Sequence, residues 1–229
     1  MTVDLNCDMG ELEDAPYEAA LMQYVTSANI ACGGHAGDEA SMERTARLAI
    51  ARGVRIGAHP GYPDRTNFGR LAIPMPAAEI ERTVRQQIER LDAVVRRLGG
   101  RVVHVKPHGA LYNAAVRNIE VARAIAAGVE AWDPRTTLFG LAGSPMLDVW
   151  RQMGFEVAAE AFADRRYQPD GTLRPRQFAD ALITDPRQAA RQALLFARQG
   201  QVQTICVHGD TPGAVDILKA CREALLYQS

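Results

Sequence analysis

Lysine is nearly absent from this sequence. Of its 26 basic residues only Lys106 and Lys219 are lysine, and the rest are arginine. Genome composition accounts for most of that bias, but it leaves Lys106 conspicuous. An excess of either charge is missing too. The formal net charge is −1 over 229 residues, which argues against a nucleic-acid or membrane-surface partner, because both favour a basic face. No apolar run approaches the roughly 20 residues needed to span a bilayer. A polar-studded strand begins at once near the N-terminus, so no signal peptide is expected and the chain is read as cytoplasmic. The four cysteines, Cys7, Cys32, Cys206 and Cys221, show no CxxC spacing and read as buried free thiols in a reducing compartment. The chain also lacks a GxxxxGK[ST] phosphate loop, a GxGxxG after a strand and a GxSxG elbow. Covalent catalysis is therefore less attractive than acid–base or metal-assisted chemistry.

What is present is regular alternation. Short β-rich runs at Val3–Met9, Ser27–Cys32, Val54–His59, "RVVHVKPH", "TTLFGLAG", "FEVAAEAFAD" and "QTICVHGD" alternate with helical patterns. The clearest helix carries Ile80, Val84, Ile88, Leu91, Val95 and Leu98 at spacings of three and four, the period of one helix face. Another runs from about Glu39 to Arg52, "NIEVARAIAAGVEAW" follows the fourth strand, and "PGAVDILKACREALLYQ" closes the chain. Seven strand–helix units predict a parallel sheet covered by helices. Both an open doubly wound sheet and a closed barrel fit. The length, slightly below the ~250 residues typical of eight units, suits a seven-unit barrel spanning residues 1–229 as one domain.

The strand ends favour the barrel. Strand one leaves in Asn6, Asp8 and Glu11, strand two in Gly33, Gly34, His35 and Asp38, and strand three in His59. Strand four leaves in Lys106 and His108, strand six in Glu160, Asp164 and Arg165, and strand seven in His208 and Asp210. In a parallel barrel these ends share one mouth, where active sites of this architecture lie; an open sheet would gather them at a single switch point. Taken singly, each has a plainer role: Asp38 as a helix cap, Asp14 as a favourable helix start, Arg165 and Arg166 as a solvated pair. Convergence carries the functional reading. Of the five histidines only His104 lies inside a strand, below the mouth.

The motifs "DLNCDMGE", "NIACGGHAGD", "GAHPGYPD" with "FGR", "VKPHGALYN", "FADRRY" and "VHGDTPGAV" together resemble the LamB/YcsF family, which provides the A component of the bacterial ATP-dependent 5-oxoprolinase. They run in the expected order from Val3 to about Val215. The resemblance implies a TIM-like (β/α)7 barrel, an α/β fold related to carbohydrate deacetylase barrels. It also implies opening of the 5-oxoproline lactam to glutamate with ATP and Mg²⁺, alongside two partner subunits, B and C. The chain departs from the family pattern at Cys7, Met9 and Gly34, where the missing phenylalanine is expected to widen the mouth.

On that reading Asp8 or Glu11 activates water, while His35, His59, His108 and His208 share proton transfer. Lys106 and Arg165 contact phosphate or carboxylate, and Asn6, Arg70, Asp164 and Asp210 complete the binding surface. Asp8, His35 and His59, from three successive strand ends, form a candidate divalent-metal triad. Two other readings compete: a metal-dependent amidohydrolase or deacetylase indifferent to ATP, and a non-catalytic substrate-binding subunit.

Overall fold

In the computed structural model, which describes residues 3–226, the seven strands close into a parallel barrel in chain order. They are β1 (Asp4–Met9), β2 (Ser27–Ala31), β3 (Arg55–His59), β4 (Val102–Val105), β5 (Thr137–Leu141), β6 (Val157–Phe162) and β7 (Thr204–Cys206). Closure is made by β1 against β7, with Asp4 opposite Thr204 and Asn6 opposite Cys206. The open-sheet alternative is thereby excluded.

Helices α1 (Ala15–Leu21), α2 (Glu39–Arg52), α3 (Ala77–Arg97), α4 (Gly109–Arg117), α5 (Ile119–Glu130), α6 (Pro145–Gln152), α7 (Pro186–Gln199) and α8 (Ala214–Leu226) surround it. Their apolar stripes and the outward strand residues make the core: Ile80, Val84, Ile88 and Leu91 of α3 are buried, as are Ile30, Ile56, Val105 and Leu138. The expected extension of the last helix over Tyr227 and Gln228 lies outside the described residues. Caps fall where local chemistry places them. Asp38 accepts from Ser41 N at the start of α2, and Asp14 from Tyr17 N at the start of α1, each satisfying an orphan amide of the first turn.

Sequence periodicity did not separate α4 from the strand exit before it. This helix starts at Gly109 with φ +51°, and its N-cap residue, His108, gives no side-chain capping bond. That imidazole is engaged elsewhere, so the usual polar start signal is absent.

Strand alternation sends one residue set inward, and here that set is polar. Asn6, Asp8, Asn29, His104, Lys106, Glu160 and Thr204 meet inside the barrel and are all buried. Gly57 makes room for them: a Cβ there would lie 2.0 Å from the His104 ring. His104 stacks on Phe139 with centroids 4.2 Å apart. Burial pushes its pKa down to about 3, and burial likewise takes His35 down to about 4. In the unfolded chain both titrate near 6.5. His108, also lowered, adds to this and His59, raised by its carboxylate neighbours, opposes it, so on balance the unfolded state binds more protons as pH falls from about 6.5 and native stability falls with it. Urea midpoints should drop between about pH 6.5 and pH 5, above the ordinary carboxylate range. A flat profile there would contradict two neutral buried imidazoles.

Candidate active site

The barrel mouth opens into a cavity of about 510 Å³ lined by Asp8, Glu11, His59, Arg70, Lys106, His108, Arg165, His208 and Asp210, among others. Of the residues singled out from sequence, Asn6 lies one layer below, Asp164 behind His208, and His35 behind His108.

At the cavity's edge four side chains converge. Glu11 Oε1 is 2.8 Å from His35 Nε2, 3.3 Å from His108 Nδ1 and 3.7 Å from His59 Nε2. The His35 and His108 rings stack in parallel at 3.5 Å, and Phe68 packs edge-on to both. Backbone carbonyls orient two of the imidazoles. His59 Nδ1 donates to Lys106 O at 2.7 Å, and His108 Nε2 to Phe68 O at 2.8 Å. Phe68 holds that position at φ +55°, a costly conformation for a bulky residue. With those nitrogens protonated, His59 Nε2 and His108 Nδ1 face each other at 3.0 Å, each presenting a lone pair when neutral. A proton satisfies that pair; so does a divalent cation.

The titration pattern follows from the geometry. Burial opposes ionisation of Glu11, but the imidazoles of His108 and His35 beside it hold its carboxyl well below the usual range. Burial also works against His59, yet Asp8 and Glu11 beside it raise its pKa. His108 is lowered by burial, with Glu11 opposing.

Glu11, His35, His59 and His108 can present one ligand atom each within 4.8 Å of one another. This differs from the expected Asp8–His35–His59 triad in that Glu11 and His108 take the place of Asp8. The reason is Lys106. Its ammonium lies 2.9 Å from Asp8 Oδ1 and 3.0 Å from Glu160 Oε1, with Cys206 Sγ at 3.0 Å. Asp8 Oδ1 also accepts from Asn29 Nδ2 at 2.9 Å, which leaves Oδ2 facing His59 Nε2 at 3.4 Å. Burial would raise the Asp8 pKa, but His59 and Lys106 hold it well below the ordinary carboxylate value. Burial opposes the Lys106 charge too, but its neighbours together, Asp8 first and Glu160 among them, outweigh it and hold the lysine pKa well above its ordinary value.

The opposite wall is basic. Arg165 is 5% exposed and its Nε has no partner, and among the described residues it pairs with no carboxylate. Its Nη2 donates to Arg174 O at 2.7 Å. Burial, then Arg176, lowers its pKa to about 10. Arg166, by contrast, is exposed, so the two arginines do different things. Arg70 and Arg176 both bind Asp210. His208 Nδ1 is 3.0 Å from Asp164 Oδ2, and its ring stacks on Phe162.

Tyr112 donates to Glu160 Oε2 at 3.0 Å and lines the cavity with Arg174 and Arg176. Asn29, Tyr112 and these two arginines escaped the sequence reading. A polar Asn29 inside an apolar run was a usable signal; nothing local marked Arg176. Gly34 does not widen the mouth. A Cβ there would lie 2.3 Å from Gln87 Oε1, and Gln87, on α3, is bonded to both Gly61 N and Gly61 O.

Residues 3–229 match the model of the LamB/YcsF family. The chain belongs to the LamB/YcsF family. A relative from Chloroflexus aggregans, named as the A component of 5-oxoprolinase, is 48% identical over 240 residues, covering 98% of this chain and 95% of its own. One of the same name from Pyrococcus furiosus is 44% identical, covering 98% and 94%. Among solved structures, a lactam utilization protein from Thermus thermophilus superposes with TM-score 0.90 at 40% identity, covering 99% of this chain and 96% of that one. A family 4 carbohydrate esterase from Streptomyces lividans shares the fold at TM-score 0.50 and 14% identity, covering 98% and 87%. This LamB/YcsF barrel is thus a TIM-like (β/α)7 fold whose relatives are named for work on a lactam. Among its described residues no helix is long and apolar enough to cross a membrane.

Proposed function

We propose that this chain is the ring-opening component of an ATP-dependent 5-oxoprolinase, acting with two partner subunits, ATP and Mg²⁺ to convert 5-oxoproline to glutamate. The observation that carries the reading is one cavity with a carboxylate–imidazole cluster on one wall and an unpaired buried guanidinium on the other. The names of close relatives support it.

A lactam carbonyl is a poor electrophile because the nitrogen lone pair is delocalised into it by amide resonance. Transfer of the ATP γ-phosphoryl to the lactam oxygen exposes the carbon to water. Water adds there, the ring carbon–nitrogen bond breaks with the nitrogen leaving protonated, and a second water hydrolyses the resulting acyl phosphate to glutamate and inorganic phosphate. Ionised Glu11 or Asp8 Oδ2 takes the proton from water. His59, whose Nε2 faces both carboxylates, returns one to the departing nitrogen, with His35, His108 and His208 stabilising charge. Arg165 holds the substrate carboxylate or the transferred phosphate, with Arg70, Asp210, Asp164 and Asn6 shaping the surface around it. Glutamate release measured with each protein component, and then ATP, omitted in turn tests this. Undiminished release without this chain would overturn it.

Replacing Arg165 by Gln removes charge-assisted hydrogen bonds worth ~1.5–3 kcal/mol. The expected outcome in steady-state kinetics is a KM for 5-oxoproline raised about 10- to 100-fold, with kcat less affected.

The Glu11–His35–His59–His108 cluster favours a second reading, a metal-dependent amidohydrolase. The donors fit a divalent transition metal: three imidazoles and one carboxylate, two of the imidazoles oriented by backbone carbonyls in the manner of metal ligands, with His35 Nδ1 buried and unpartnered. A metal held there would supply Lewis-acid polarisation of the carbonyl. Turnover by the isolated chain that is indifferent to ATP and lost to a chelator would select this reading.

A further inference from the structure

Hydrogen-bond bookkeeping inside the barrel leaves one residue with a forced role. The Asp8 carboxylate only accepts hydrogen bonds, so the Asn29 atom 2.9 Å from its Oδ1 must be the amide nitrogen. The second proton of that nitrogen goes to Asn6 Oδ1 at 2.8 Å. Asn6 Oδ1 is itself fixed as an acceptor, because Asn6 Nδ2 donates to Glu160 Oε1 at 3.0 Å and to Thr204 Oγ1 at 2.7 Å. Asn29 therefore turns its carbonyl oxygen to His104 Nε2, 2.8 Å away, and His104 must donate. Only the tautomer protonated at Nε2 satisfies this chain.

The His104 ring is fixed in place by its packing. It is 2% exposed, lies flat on Phe139 and occupies the space that Gly57 leaves open. It reaches no cavity at the mouth; the pocket it borders opens at the other end of the barrel, beside Asp4, Arg55 and Thr204.

We infer that His104 is a positioning residue for the mouth. Through Asn29, and together with Lys106 on the same atom, it commits Asp8 Oδ1 and leaves Oδ2 as the single oxygen presented to His59 and to the reacting molecule. Without a donor at position 104, the Asn29 carbonyl is left buried without a partner, so the amide that braces Asp8 is held from one side only and the carboxylate loses part of its support. The inference rests on the proposed function only in taking Asp8 to act on the substrate. The tautomer and the direction of the Asn29 amide do not depend on that.

Two measurements test it. Long-range ¹H–¹⁵N spectra of the isolated chain report the tautomer directly: His104 is expected protonated at Nε2, and protonation at Nδ1 alone would overturn the inference whatever the enzyme does. In the reconstituted complex, His104→Phe keeps the stacked ring and removes the donor. Loss of such an outer support costs 10- to 100-fold in related settings. The expected result is a kcat for glutamate release lowered about 10- to 100-fold, a KM within about threefold, and recovery of most of the loss in His104→Gln, which restores an N–H donor. A folded His104→Phe with kcat within twofold of the parent, or Phe and Gln variants equally impaired while equally folded, would also overturn it. Should His104→Phe fail to fold, the spectra and the Gln variant still decide. If the parent complex releases no glutamate, the proposed function fails and the tautomer measurement stands alone.

Discussion

Replacing Lys106 by Met should destabilise the chain by about 3–5 kcal/mol, the usual cost of leaving buried charge without its partner. The ammonium is the shared counter-ion of Asp8 and Glu160, at 2.9 and 3.0 Å, and all three side chains are nearly inaccessible. Methionine conserves the length of the stem but leaves two carboxylates in a low-dielectric interior, where each disfavours ionisation of the other. Urea unfolding at neutral pH should show a lower midpoint with little change in slope. Adding Glu160→Gln should restore part of the loss, because one of the stranded charges is removed. Parent-like stability of the single variant would mean the ion triad contributes nothing. The same triad bears on chemistry. With its charge answered by Asp8 and Glu160, Lys106 sets the orientation of Asp8, while Arg165 remains the guanidinium free to meet an anion.

Glu11→Gln should be the most damaging isosteric change at the mouth. Its carboxylate oxygen is where His35, His59 and His108 converge, and an amide keeps the shape while removing both the charge and the basicity. General-base contributions run to about 10²–10⁴ in rate. A fall of that size in kcat is expected in the complete assay, with the circular dichroism spectrum unchanged. Zinc titration of the isolated chain gives a second readout, with weaker binding expected in the variant if the cluster holds a divalent ion. Activity within threefold of the parent would remove Glu11 from the proposed mechanism and leave Asp8 Oδ2 as the base.

Much of the fold was legible locally. Strands such as Ser27–Ala31 and Thr137–Leu141 were visible as apolar runs, and α3 as a periodic stripe. The cap at Asp38 followed from side-chain chemistry alone, and Asp14, read as favouring a helix start, caps α1. Helix α4 escaped because its N-cap residue spends its side chain on His59 and Phe68 instead of capping. Within the site, the mouth residues were visible as polar groups at strand exits. Their division into an imidazole cluster, a lysine-centred ion triad and an arginine wall was not.

The sequence by itself determined the alternating plan, the end of each strand at which chemistry gathers, and membership of a family whose motifs sit at those ends. These are local properties: side-chain period, turn residues and order along the chain. Tertiary structure alone decided that β1 closes on β7, that Glu11 and His108 rather than Asp8 complete the cluster, and that Gly34 faces Gln87 instead of the mouth. It also decided that His104 reaches Asp8 through Asn29. Each of those facts depends on distances between segments far apart in the chain, set by barrel closure and helix packing, and no local period encodes them.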